Sequence, residues 1–187
     1  RVVPAARKMS RISFDELLEM TATGCPKPAM RSVEYAHRHG VKLHVRSAFT
    51  WEPGTWVVEE DPDMEHAVVR AVTHDLSEAK ITVTGVPDRP GVAARLFRAL
   101  ADRNVNVDMI VQNASALGLT DISFTVPHSD VATATDVVES LKDELGAGGV
   151  AADTAIARVS VIGAGMKTNP GIAASMFETL SNAGINI

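Results

Sequence analysis

The sequence predicts an α+β protein in which antiparallel sheets carry helices on one face, and three observations predict it. Residues 81–112, ITVTGVPDRPGVAARLFRALADRNVNVDMIVQ, read as strand, tight turn, helix and second strand. A degenerate copy returns at 159–187: with Pro90 set on Pro170, Gly91 aligns with Gly171, Ala93 with Ala173, Ala94 with Ala174, Phe97 with Phe177, Leu100 with Leu180 and Asn106 with Asn186. Repetition of a whole supersecondary unit outweighs any single local signal. Between the copies, helical spacing and strict alternation succeed one another in the order βαββα, and that order builds an antiparallel sheet with its helices on one side.

Along the chain, Ser13 and Glu16 have the spacing of a capping box, so a helix is expected over 14–22, carrying Leu17, Leu18 and Met20 and stopping near Gly24. Pro26 and Pro28 bar regular helix through the next segment. A second helix is predicted over 30–39, with Val33 and Ala36 inward and Gly40 as its stop. Val41, Leu43 and Val45 alternate with Lys42, His44 and Arg46, the pattern of a strand with one wet face. Pro53-Gly54 is a turn, and Glu59-Glu60-Asp61-Pro62-Asp63 is an acidic linker. A strand over 67–73 should come next, then the first copy. On its helix Val92, Leu96, Phe97, Leu100 and Ala101 share a face. Ile122, Phe124 and Val126 alternate with Asp121, Ser123 and Thr125, a half-buried strand. A helix over 131–145 turns Val137, Val138 and Leu141 inward and ends at 146–149. Residues 156–162 are then expected both to close the first copy and to open the second. This gives domains at 1–58, 67–156 and 157–187, with 59–66 as linker.

Composition excludes several function classes. The chain of 187 residues is 45% hydrophobic and 22% charged, the balance of an ordinary globular protein with room for one or two cored domains. A net charge of -5 argues against nucleic acid as a partner, because phosphate binding needs a basic face. No apolar run approaches the roughly 20 residues of a membrane helix, so no membrane partner is expected. Cys25 is the single cysteine, which rules out an internal disulfide and fits a cytoplasmic location. The first residues, Arg1-Val2-Val3-Pro4, lack an initiator Met, and residue 187 falls where the first copy is entering its second strand. The expectation is an internal piece of a longer polypeptide.

The chemistry concentrates in the turn Pro87-Asp88-Arg89-Pro90-Gly91. Pro90 near the first helical position is pre-organised for a helix start, and Gly91 lets another backbone approach. The amides of Gly91, Val92 and Ala93 then face outward at the positive end of the helix dipole, where a carboxylate is stabilised. Asp88 either caps the helix or takes an ammonium group. In the second case an acid and an amine are held about one amino-acid length apart, which describes a free α-amino acid. Asn106 and Gln112 offer side-chain amides beside the same turn.

These stretches resemble ACT domains, amino-acid-sensing βαββαβ modules of ferredoxin-like fold. Further motifs resemble the aspartokinase family: Met109-Ile110-Val111-Gln112-Asn113, Thr120-Asp121-Ile122-Ser123-Phe124-Thr125 and Val161-Ile162-Gly163-Ala164-Gly165-Met166. So do Arg1-Val2-Val3-Pro4, Phe14-Asp15-Glu16-Leu17-Leu18-Glu19-Met20, Arg31-Ser32-Val33-Glu34-Tyr35-Ala36 and His44-Val45-Arg46-Ser47. The resemblance implies tandem ACT domains, the second truncated at residue 187, preceded by the C-terminal part of an amino-acid-kinase α/β domain. It implies an enzyme converting ATP and L-aspartate to 4-phospho-L-aspartate, with feedback inhibition by lysine and/or threonine. ATP with Mg is the cofactor implied for the full enzyme, and none is expected in this segment. The positions matching the family's effector-binding residues are Asp88, Arg89, Pro90, Gly91, Val92, Ala93, Asn106, Val107, Asp108 and Gln112, and in the second copy Ile172, Ala173, Asn186 and Ile187. The implied assembly is an ACT-mediated homodimer or a complex with a catalytic subunit.

The resemblance also has departures. The family's Lys-Phe-Gly-Gly-type phosphate loop is absent, so no catalytic residue is expected in this segment, which is read as a kinase fragment or a separate regulatory subunit. Pro26 stands where the family has an ATP-contacting Lys, and Lys27, one residue on, is the nucleotide-binding candidate. Residues 113–120 form a shorter loop than the family's. A non-enzymatic amino-acid sensor is the alternative, and the regulatory end of a homoserine dehydrogenase fusion is a third reading.

The remaining candidates read as structural. The six histidines show no metal-ligand spacing, so no metal site is expected. Gly163-Ala164-Gly165 is half a dinucleotide fingerprint and reads as a turn. Arg7, Lys8 and Arg11 read as a solvated basic face.

Overall fold

The chain divides into two compact units: Asp75–Arg158, and Arg1–His74 together with Val159–Ile187. The computed structural model describes residues 6–60, 69–113, 118–163 and 169–187. Much of the acidic linker, residues 67 and 68 of the expected strand, His66 and most of the Gly163-Ala164-Gly165 turn lie outside the described residues. Among the described residues, no helix is long and apolar enough to cross a membrane.

In the unit containing the N-terminal segment, β1 (Arg11–Ser13) leads directly into α1 (Phe14–Ala22). The capping box forms as its spacing requires: Glu16 N–H donates to Ser13 Oγ (3.1 Å) and Ser13 N–H donates to Glu16 Oε2 (3.2 Å). Then come α2 (Met30–Arg38), β2 (Leu43–Val45) and β3 (Thr55–Val58), with β3 central, parallel to β1 and antiparallel to β2. Ile12, Phe14, Leu17, Val33, Ala36 and Val57 form the buried core of this part. Sequence periodicity did not reveal β1 or β3, because three or four residues are too few to show an alternation. The wet face expected of β2 is also corrected. His44 stacks on Trp56 with ring centroids 4.0 Å apart, and its Nε2 accepts from Gly54 N–H at 3.2 Å.

The same unit holds β4 (Ala71–Asp75), which pairs with β9 (Arg158–Ile162), and α5 (Ile172–Asn182). That pairing overturns an expectation: the strand at 156–162 does not close the first copy.

The unit Asp75–Arg158 is built from β5 (Glu78–Pro87), α3 (Val92–Asp102), β6 (Ile110–Asn113), β7 (Leu119–Pro127), α4 (Val131–Leu145) and β8 (Gly149–Asp153). It is a βαββαβ module whose antiparallel sheet runs β6-β7-β5-β8. The closing strand is therefore β8, in residues 150–153 to which the sequence pattern gives no element, with only Gly149 read from sequence as part of the helix stop. The inward faces of β5 and β7 (Ile81, Val83, Val86, Ile122, Phe124, Val126) pack on Val92, Leu96 and Leu100 of α3 and on Ala134, Val137, Val138, Leu141 and Leu145 of α4. Phe97 is half-buried and meets Phe124 edge-on at 5.5 Å, whereas Ala101, expected inward, is exposed.

One irregularity in β5 sets the direction in which the chain leaves the sheet. Val83 pairs with Ile122 and Val86 with Thr120, so Thr84 and Gly85 together oppose the single residue Asp121. This is a β-bulge. It lets both Val83 and Val86, three residues apart, face the core (0% and 1% exposed), which period-two alternation forbids. Gly85 adopts φ +63°, a left-handed conformation open to glycine at little cost.

Candidate functional site

The site grows from the end of β5. After Val86 and Pro87 the chain leaves the sheet, with Asp88 N–H donating to Gly118 C=O at 2.9 Å. Arg89, Pro90, Gly91 and Val92 then make a tight turn. Val92 N–H reaches back to Arg89 C=O at 3.5 Å, and Gly91 sits at φ +97°, ψ -22°. Proline second and glycine third, the latter at positive φ, fit a type II turn. An added Cβ on Gly91 would meet nothing within 4 Å. The glycine is therefore required by backbone conformation and not, as read from sequence, by a close neighbour. Pro90 likewise precedes the N-cap, Gly91, and does not occupy the first helical position.

This turn determines which groups the helix start presents. No side chain caps α3, so Asp88 is not its capping residue. The first i→i−4 donor is Arg95, bonding Gly91 C=O at 2.9 Å. The Val92 amide is turned into the turn, which leaves those of Ala93 and Ala94 as the first-turn donors without an intrahelical acceptor.

Residues 86–93, together with Gln112, Thr120 and Ile122, enclose a cavity of about 350 Å³. Its floor is apolar, from Val86 and Ile122, with the buried Thr120 beside them. Its rim carries a carboxylate (Asp88), a guanidinium (Arg89) and an amide (Gln112), and the positive end of α3 opens onto it. This small cavity mixes an apolar floor with charges of both signs, and so offers complementary groups to a zwitterion. Nearby, Arg95 ties α3 to α4 through Glu144, its Nε donating at 2.7 Å, and that bond holds the Glu144 carboxyl below its ordinary range.

Of the residues singled out from sequence, Asp88, Arg89, Pro90, Gly91, Val92, Ala93 and Gln112 are brought together here. Asn106, Val107 and Asp108 are not among the lining. Asn106 precedes β6 and is exposed, and Val107 packs against the core. The Asp108 carboxylate is taken by Arg158, which also pairs with Glu78 (3.1 Å) and Asp75 (3.3 Å). Ile172 opens α5 after Gly171, which repeats the geometry of Gly91 at φ +105°, ψ -13°. Ala173, Asn186 and Ile187 are exposed. Lys27 lies exposed between α1 and α2 in the other unit. Val86, Thr120 and Ile122 were missed as lining residues. The available signal was Gly85, an isolated glycine in an apolar strand pattern, which marks a bulge and shifts the phase of Val86 and the residues after it. Among the described residues, no group of three or more His, Cys, Asp or Glu is placed to hold a metal ion.

Comparison with known proteins agrees with this architecture. The ACT domain family model matches residues 80–141 and 159–187. An aspartokinase from Mycolicibacterium smegmatis is 48% identical over 191 residues, covering 100% of this chain and 45% of that protein. The chain thus spans a little under half the length of the curated relatives it matches. The ligand-free regulatory subunit of aspartate kinase from Thermus thermophilus is 36% identical, with a TM-score of 0.60 over 65% of this chain and 80% of that one. E. coli aspartokinase III in complex with lysine and aspartate (T-state) is 25% identical, with a TM-score of 0.67 over 96% of this chain and 40% of that one.

Proposed function

The chain belongs to the aspartokinase family, and from that premise we propose that its ACT region receives lysine or threonine as a feedback effector of an aspartate kinase. The observation that carries the proposal is the cavity at residues 86–93. It sets the Asp88 carboxylate and the start of α3 on one rim, where an α-amino acid would place its ammonium against Asp88 and its carboxylate against the Ala93 and Ala94 amides. Arg89 and Gln112 flank the side chain. The lysine complex of the E. coli relative supports an amino-acid ligand.

The kinase reaction, ATP and L-aspartate to 4-phospho-L-aspartate, belongs to the whole enzyme, in which ATP would bind with Mg. The 187 residues contain no Lys-Phe-Gly-Gly-type loop, so this segment is assigned regulation and not phosphoryl transfer. The match to the mycobacterial relative runs through the N-terminal residues as well. A free-standing sensor would have no need of them, and this favours the kinase reading. The partners proposed are a second copy, joined through the ACT units, or a catalytic subunit, in the cytoplasm.

A ligand of the native state raises apparent stability by about 2.7 kcal/mol at a hundredfold excess over its Kd. L-lysine or L-threonine at millimolar concentration should therefore raise the thermal midpoint, and Asp88→Ala should remove the rise. No rise with either amino acid would overturn the assignment.

A further inference from the structure

Two hydrogen bonds made by neighbouring residues of β7 end one residue away from lining residues of the cavity, at Gly85 before Val86 and at Asn113 after Gln112. Asp121 Oδ1 accepts from Gly85 N–H at 2.8 Å. That amide belongs to the bulge of β5, where two residues face one and the regular ladder cannot satisfy it. On the other side the bulge is met by Gly148 N–H, which donates to Thr84 C=O at 2.7 Å. The bulge sets the phase of Val86 and the exit direction of residues 87–91, which form one wall. Thr120, 3% exposed, donates from Oγ1 to Asn113 C=O, at the end of the strand that carries Gln112 on the other wall. Thr120 thus touches the cavity, while Asp121 acts through the backbone of β5.

We propose that Thr120 and Asp121 are positioning residues for the effector cavity, a single dipeptide that braces the Asp88 wall and the Gln112 wall at a fixed separation. The proposal rests on the effector reading for its ligand but not for its geometry. Strand β7 lies between β5 and β6 in the sheet, so it is bonded to the strands that carry both walls. A hydroxyl and a carboxylate in succession point to opposite faces of a strand. Thr120 is buried toward the cavity and Asp121 is exposed on the opposite face, yet its carboxylate reaches the bulge amide at the strand edge. An asparagine at 121 would keep the Oδ1 acceptor, an alanine would not, and the two separate the hydrogen bond from the mere presence of a side chain.

The test uses the 187-residue chain and its variants Asp121→Ala, Asp121→Asn and Thr120→Val. Binding of L-lysine and L-threonine is measured by calorimetry, and amide exchange at Gly85 and Asp88 by NMR. Asp121→Ala should weaken binding by about tenfold, the worth of one hydrogen bond of ordinary strength. It should also speed exchange at Gly85 and Asp88, and Asp121→Asn should restore both. Thr120→Val should weaken binding while leaving Gly85 protected. Wild-type affinity in Asp121→Ala, or an Asp121→Asn as impaired as the alanine variant, overturns the proposal. Should the wild-type chain bind neither amino acid, the effector reading fails alone. The brace is then decided by exchange: faster Gly85 and Asp88 exchange in Asp121→Ala upholds it, and unchanged exchange ends it.

Discussion

Gly91→Ala separates backbone strain from steric clash at the cavity's rim. A Cβ at residue 91 meets no atom within 4 Å, so the cost of the substitution comes from holding alanine at φ +97°. That conformation costs a non-glycine residue about 1–2 kcal/mol. Alanine also narrows the unfolded ensemble, which offsets roughly 0.4–1 kcal/mol of the strain. At the midpoints of the two ranges the net expectation is destabilisation of this unit by about 0.8 kcal/mol. Trp51 and Trp56 both lie in the other unit, so fluorescence would not report the change. Hydrogen exchange of the α3 amides reads it directly as the free energy of local opening. Relaxation of the turn would also displace Ala93, and L-lysine or L-threonine should bind less tightly. Gly171→Ala is the control: φ is +105°, nothing lies within 4 Å, and the same cost should appear on α5. If Gly91→Ala left α3 as protected as before, the turn would be yielding elsewhere, and the assignment of Pro90-Gly91 as the turn that fixes how α3 begins would be refuted.

The Asp75 carboxyl is held below its ordinary value of 3.8, first by the Ser77 hydroxyl (2.6 Å), then by the Ser77 amide (2.8 Å), with Arg158 adding to both. A depressed carboxyl contributes stability that is complete above 3.8 and is lost as pH falls through the lowered folded value. Ser77→Ala should therefore lose stability at about pH 6 and converge on wild type at the acid end of a series of urea titrations; curves that stay parallel would count against it. Ser13→Ala removes half of the α1 capping box and should cost about 1 kcal/mol. Trp56, in register with Arg11 of β1, makes fluorescence the readout, and an unchanged midpoint would deny the cap its role.

What the sequence disclosed was whatever is written in local chemistry. Ser13 and Glu16 announce α1 because both capping bonds lie within four residues. Val92, Leu96 and Leu100 announce the buried face of α3 because burial there obeys the helical period. The turn was located correctly and explained wrongly, since Pro-Gly spacing suits a type II turn as well as a close backbone approach, and only φ separates the two. What stayed hidden depends on pairing. Residues 149–153 (Gly149, Val150, Ala151, Ala152, Asp153) have almost no apolar alternation, and they become a strand because β5 offers them an edge. The strand at 158–162 alternates better, yet it pairs with β4 and leaves the first module to β8. Asp108 matches an effector position by resemblance, and its carboxylate pairs with Arg158, fifty residues away, a partner that no local pattern discloses.

The two copies together indicate which part of the site recognises anything. Both place proline before a glycine of nearly the same φ and ψ, and both launch an 11-residue helix from it. A device shared to that degree specifies how a helix begins, and its exposed amides would suit any carboxylate. Discrimination must come from what differs. The first copy sets Asp88 and Arg89 before the proline, and a strand carries Gln112 to the same cavity. The second copy has Lys167, Thr168 and Asn169 before its proline, with no acid to receive an ammonium group. On the proposed effector reading, the ammonium group is received in the first copy, and its hold turns on how firmly β7 keeps Asp88 and Gln112 facing one cavity.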